Sequence, residues 1–272
     1  WTQVSDYALA MGLDMIQGDC EDAPGQIELN YQFDDALPTC DRMTTYRQIC
    51  AEVARQHGLI ACFMAKPHAD MAGSGMHMHV SMLDDQGRNI FSERPSEDPT
   101  SSPALRHAIA GMAAHMGPSM LVFAPHANSW RRFASQSYAP VSPTWGVNNR
   151  SVALRIPAGD IRARRIEHRP AGVDANPYLV AATVLAGIRH GMKHKIDPGP
   201  ATTGNGYDGG QDAPPISVDW RGAIEAAKAS EFLKDALGAD MHRTFTAIKS
   251  AEYARVMRTV SEVDYDLYLH TV

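Results

Sequence analysis

Between Gly73 and Met82 the chain alternates: Met76, Met78, Val80 and Met82 are apolar, while His77, His79 and Ser81 are polar. Successive side chains of a strand point to opposite faces. The pattern therefore predicts a strand with one face in a core and the other carrying two imidazoles and a hydroxyl. The Gly73-Ser-Gly stretch before it lets the backbone come close to a ligand. A second alternation, from Ile27 to Phe33, sends Ile27, Leu29, Tyr31 and Phe33 towards a core and Glu28, Asn30 and Gln32 the other way. A third, Arg164 to Arg169, puts Arg165, Glu167 and Arg169 on one side. Leu59 to Met64 and Ser151 to Ile156 read as two further strands, and Asp84-Asp85-Gln86-Gly87 as a hairpin turn into Asn89-Ile90-Phe91.

Helical spacing accounts for most of the remainder. A helix is predicted over Trp1 to Met15. Another is capped by Asp41 and stopped by Gly58, with Met43, Tyr46, Ile49, Cys50 and Val53 on its apolar face. Pro103 to Met116 reads as a buried helix. Asn176 caps, and Pro177 opens, a helix running to Met192. Asp219 to Ala229, Ala239 to Val260 and Val263 to His270 make the C-terminal region helical. Leu121 to Ser142 has no clear period, and Asp197 to Pro215 reads as a long surface connector. With no repeat and no linker dividing two cores, the expectation is one α+β unit. It is a curved antiparallel sheet with a polar inner face, backed by helices, with a helical C-terminal region.

Composition narrows the classes of function. Among 272 residues, 25 Lys and Arg face 31 Asp and Glu, a net charge of −6. That balance, without a basic run, gives no support to nucleic-acid binding. The longest apolar run, Tyr178 to Ile188, is too short to span a bilayer. Cys20, Cys40, Cys50 and Cys62 have neither metal-site spacing nor disulfide density, so reduced thiols and a cytoplasmic location are expected. The sequence begins at Trp1, without Met, and a missing N-terminal part is expected. There is no Gly-x-x-x-x-Gly-Lys-Ser/Thr loop, no Gly-x-Gly-x-x-Gly after a strand and no His-Glu-x-x-His. Phosphate chemistry would have to rest on metal ions and arginines.

Such chemistry is available on the three polar strand faces. Carboxylates, imidazoles and guanidinium groups on one side of a sheet cannot be buried unpaired. Either that side is exposed to water, or the charges neutralise one another around metal ions and an anionic ligand. Three Glu and one His suit the hard cations Mg²⁺ or Mn²⁺ better than zinc. The arginines suit phosphate or carboxylate.

Five ordered motifs go further: Glu21-Asp-Ala-Pro-Gly-Gln-Ile-Glu28, Gly73-Ser-Gly-Met-His-Met-His79, Asn148-Asn-Arg150-Ser-Val-Ala-Leu-Arg155-Ile-Pro157, Arg164-Arg-Ile-Glu167 and Ala175-Asn-Pro-Tyr178. In order and spacing the chain resembles the glutamine synthetase superfamily from its first residues to its C-terminus. Ser142-Pro-Thr-Trp-Gly and Glu167-His-Arg-Pro-Ala-Gly-Val-Asp-Ala-Asn176 look most like the γ-glutamylpolyamine (γ-glutamylputrescine) synthetase branch. The resemblance implies that residues 1–272 are the C-terminal part of the catalytic domain. The family's N-terminal domain, and the strand with its Glu-x-Glu metal pair, would lie outside it.

The resemblance also implies roles. Glu21 and Glu28 would bind one metal ion, and His77 and Glu167 a second. Gly73, Arg132 and Arg169 would hold glutamate. His79, Ser81, Arg155 and Arg165 would contact ATP, and Arg150 the phosphate in transfer. The activity implied is phosphorylation of the glutamate γ-carboxylate by ATP, then displacement of phosphate by an amine. Stacked-ring homo-oligomers, dodecamers by resemblance, are implied as well. Two positions depart from the ammonia-using enzymes: Ala72 stands for their Asn, and Tyr138, six residues after Arg132, stands for their flap Glu. An aromatic there suits an alkyl amine, with its chain and ammonium. The alternatives are glutamine synthetase proper, with ammonia as acceptor, and a non-catalytic structural relative.

Overall fold

The computed structural model describes residues 1–92, 98–134, 137–208, 216 and 219–271. The fold is α+β, as expected. Its centre is a four-stranded sheet in the order β3 (Met78–Val80), β6 (Ile166–His168), β5 (Leu154–Ile156), β4 (Trp145–Val147). The pairs β3–β6 and β6–β5 are antiparallel, whereas β4 and β5 run parallel. A separate antiparallel hairpin joins β1 (Met15–Cys20) to β2 (Ile27–Tyr31). The polar strands thus lie in two sheets rather than one.

One face of the central sheet is apolar. Leu154, Ile156 and Ile166 are fully buried there, against α3 (Pro103–Ala114), α4 (Met116–Phe123) and α5 (Pro177–His194). Ser102 caps α3 by accepting from Leu105 N, and Asn176 caps α5 by accepting from Tyr178 N and Leu179 N. Both helices open on proline, as the sequence suggests. Helix α1 (Thr2–Ala10) precedes the hairpin and α2 (Ala36–Gln56) follows it. The chain ends in α6 (Trp220–Lys228), α7 (Glu231–Leu237), α8 (Ala239–Arg258) and α9 (Glu262–Tyr268).

Several expectations need correction. The first helix ends at Ala10, and Met15 onward is a strand. Helix α2 begins at Ala36, five residues before the predicted cap Asp41, and ends ahead of Gly58, which has φ +68°. Leu59 to Met64 forms no strand among the described residues, and Ile60 is 92 % exposed. Ile27 and Phe33 are exposed too: on that face Leu29 is the residue that packs on the cluster of α1 and α2, and Phe33 lies past the end of β2. Of the long predicted strand, Met78–Val80 forms a ladder and Gly75 an isolated bridge to Gly172, and Asn89–Phe91 gives a single bridge at Asn89 before a short helical turn. Helix continues past Met116 as α4 and runs to Phe123, into the stretch from Leu121 that has no clear period. In the connector, 197–208 is irregular as expected, while 209–215 lie outside the described residues, as do 135–136 in the stretch before Ser142.

Candidate active site

Strand register builds the site. His79 pairs with Glu167, and Glu167 with Arg155, so these three side chains form a row across β3, β6 and β5. The opposite side of β6 puts Ile166 and His168 into the core, with His168 against the Phe123 ring. Glu167 is the hub of the polar face and is itself buried. It accepts from Arg169 Nη1 at 2.5 Å and from Arg155 Nη1 at 2.8 Å, and His77 Nδ1 lies 3.5 Å away. Burial pushes the Glu167 carboxyl up, but Arg169, His77, His79 and Arg155 outweigh it and hold it below its usual range. His77 is partly open to solvent, yet desolvation and then the Arg169 charge pull its imidazole far below the usual value. His79 is likewise depressed, chiefly by desolvation.

The remaining predicted residues surround this row. Arg165 donates through Nε to His79 Nδ1 at 3.0 Å. Ser81 lies just past the end of β3, exposed. Arg132 is buried beside Gly73: a side chain at Gly73 would meet Arg132 Cγ at 2.5 Å and the Ala65 carbonyl oxygen at 2.8 Å. Only glycine leaves that space. Arg150 is exposed on a groove it shares with Asn148, Asn149, Thr202 and Thr203. Tyr138 is 63 % exposed, at a left-handed φ of +62°, and its carbonyl oxygen lies 3.4 Å from Arg169 Nη2.

Hairpin β1–β2 reaches the same place. Gln26 Nε2 donates to the Gly73 carbonyl oxygen at 3.2 Å and to Ser74 Oγ at 3.0 Å. Partial desolvation, and then the facing Glu28 carboxylate, raise Glu21; Arg150 opposes them. Glu28 also acts on His79. Two carboxylates that crowd each other in this way suit a cation placed between them. Each predicted metal site nevertheless has two donors. Among the described residues no group of three or more His, Cys, Asp or Glu side chains comes together as a metal site. Glu167 is moreover already engaged by two guanidinium groups, so the pairs fit divalent cations in kind but do not form a complete cage.

Two partners were not singled out from the sequence. Asn148 accepts from Arg155 Nη2 at 2.8 Å and adopts φ +48°. Tyr207, from the connector, lies beside Arg169, Arg132 and the Tyr138 backbone. The left-handed Asn148 within an Asn-Asn pair is a signal of the first, since Asn tolerates that conformation. Nothing local marks the second.

A fold of this kind, with this polar row, places the chain in a family. The family model for the glutamine synthetase catalytic domain matches residues 2–268, and the chain belongs to that family. It is 39 % identical over 250 residues to gamma-glutamylputrescine synthetase PuuA of Escherichia coli (strain K12), covering 92 % of this chain and 52 % of that protein. It is 34 % identical over 266 residues to a glutamine synthetase of Halobacterium salinarum, covering 96 % and 58 % respectively. It is also 34 % identical over 280 residues to a glutamate–methylamine ligase of Methyloversatilis universalis, covering 98 % and 62 %. The solved structure of GmaS in complex with ADP superposes with a TM-score of 0.88 at 32 % identity, covering 98 % of this chain and 62 % of that one. The chain thus spans 52–62 % of the length of these relatives. Among the described residues no helix is long and apolar enough to cross a membrane.

Proposed function

We propose that the protein carrying this chain joins the γ-carboxylate of glutamate to an amine, with ATP forming γ-glutamyl phosphate on the way. The observation that carries this reading is the buried Glu167 with cationic side chains arrayed about it on a single sheet face. Phosphoryl transfer needs little covalent help from a protein. It needs cations on the phosphate oxygens and an acceptor held in line. His79, Ser81, Arg155 and Arg165 hold the nucleotide. Arg150, exposed on its groove, meets the phosphate in transfer. Gly73, Arg132 and Arg169 hold glutamate. Glu21 with Glu28, and His77 with Glu167, would hold two or more Mg²⁺ or Mn²⁺ ions. When bound, these ions would offset the charge building on the phosphate. The active protein is a homo-oligomer of stacked rings.

The acceptor is a polyamine or another alkyl amine. Relatives named for putrescine and methylamine support this, and so does Tyr138 at the flap position. The alternative is ammonia, as for the relatives named glutamine synthetase. Each methylene sheathed by protein adds about 0.8 kcal/mol. A four-carbon diamine could therefore gain a couple of orders of magnitude over ammonium. With the intact protein, kcat/KM measured by phosphate release should favour putrescine or another alkyl amine over ammonium. Tyr138→Glu should shift the preference towards ammonium. A higher kcat/KM for ammonium in the unaltered protein overturns the amine assignment.

A further inference from the structure

The Arg132 guanidinium is buried, and both hydrogen bonds it makes go to uncharged groups, the Pro170 carbonyl oxygen at 3.0 Å and that of Arg169 at 3.4 Å. A buried cation needs a counter-charge. Glu167, the nearest carboxylate of the polar row, is taken by Arg155 and Arg169. Asp174 is placed to balance it. Its Oδ2 accepts from Ser129 Oγ at 2.6 Å, while its Oδ1 is buried without a hydrogen-bond partner. That oxygen lies over Gly172, where a side chain would overlap it and would sit 3.5 Å from Arg132 Nη1. On the other side Arg47, from α2, donates through Nη2 to the carbonyl oxygens of Val173 at 2.6 Å and Ala175 at 2.9 Å, gripping the residues on either side of Asp174.

We infer that Asp174 is the positioning residue for Arg132: a carboxylate that fixes the guanidinium in the pose that receives the carboxylate substrate. Burial pushes Arg132 down to about 10, and Asp174 acts against that shift. Arg47 shows the same balance, lowered by burial and sustained by Asp174. One carboxylate therefore serves a buried cation, Arg132, and a half-buried one, Arg47, from different elements, and Arg47 anchors the loop so that the other cation can work. With only main-chain carbonyls to hold it, Arg132 would be free to turn towards water or towards Glu167. The inference rests on the reading of Arg132 as a glutamate-binding residue, and the test separates the two.

The experiment uses the intact protein and follows phosphate release while glutamate and ATP are varied separately. Asp174→Asn keeps the shape and the acceptor for Ser129 but removes the charge. It should raise the KM for glutamate at least tenfold and leave the KM for ATP within twofold. Asp174→Glu, which keeps the charge, should recover most of the affinity for glutamate. Residues acting through one another give non-additive effects. In an Arg132→Met background, already weak for glutamate, Asp174→Asn should therefore change the glutamate KM by less than twofold. A glutamate KM unchanged in Asp174→Asn, or an effect that multiplies fully with that of Arg132→Met, overturns the inference. So does an equal rise in both KM values, which marks a merely structural role. If Arg132→Met leaves the glutamate KM unaltered, the glutamate site itself is misassigned and the inference falls with it.

Discussion

Glu167 and His77 are neighbours that should respond differently to substitution. The Glu167 side chain is 3 % exposed and answers two guanidinium groups, whereas that of His77 is 30 % exposed and carries no buried charge of its own. Glu167→Gln sets an amide NH2 donor against one of the two guanidinium donors and leaves two cations short of a counter-charge. Breaking a buried ion pair from one side costs about 3–5 kcal/mol. A loss of that order is expected in the unfolding free energy from denaturant titration, together with loss of phosphate release. His77→Ala should abolish phosphate release with a stability change below about 1 kcal/mol, since the lost ring is partly exposed and does not pack in the core. A Glu167→Gln protein as stable as the parent contradicts the counter-charge account. At this scale the candidate site was legible because a period of two assigns each strand residue to a face whatever the strand's length. Asp174 was not: its role depends on lying near Arg132, 42 positions earlier, which no local pattern records.

The layer behind the site depends on how closely α3 and α5 approach. A side chain at Gly111 would overlap the Gly187 carbonyl oxygen and the Gly191 nitrogen and would stand 2.6 Å from Gly191 Cα. Gly111→Ala must therefore push the helices apart. Overpacking costs about 1–3 kcal/mol, against a gain in helix propensity of at most about 1 kcal/mol. A net loss of about 1 kcal/mol is expected in chemical denaturation. Gly117 in α4 offers the contrast, since nothing lies within 4 Å of a side chain built there. Gly117→Ala should stabilise by about 0.5–1 kcal/mol. Equal effects at the two sites would show that the approach of α3 to α5 is not tight. Elements with strong punctuation, such as the Asn-Pro start of α5, were readable in the sequence. Strand β1 was not, because its residues are mostly exposed on both faces and a register shift near its start breaks the alternation. Helix α7, at seven residues, is too short for a helical period to declare itself.

For the whole molecule, apolar residues misled where they lie outside the two buried clusters. Leu59 and Ile60 read as a strand yet are 66 % and 92 % exposed, and Met257, Val260 and Val263 near the C-terminus are each at least 60 % exposed. Hydrophobicity alone cannot tell a residue buried in its own fold from one that is not. Under the stacked-ring reading proposed above, light scattering on the intact protein should return a multiple of the subunit mass; a monomer contradicts that reading. The chemistry itself is tested by labelling both oxygens of the glutamate γ-carboxylate with heavy oxygen, then analysing the inorganic phosphate released during turnover with ATP and putrescine. If the γ-carboxylate attacks ATP and phosphate then leaves as the amine adds, one labelled oxygen should appear in phosphate for each amide formed. Amide formation with no label in phosphate contradicts the account.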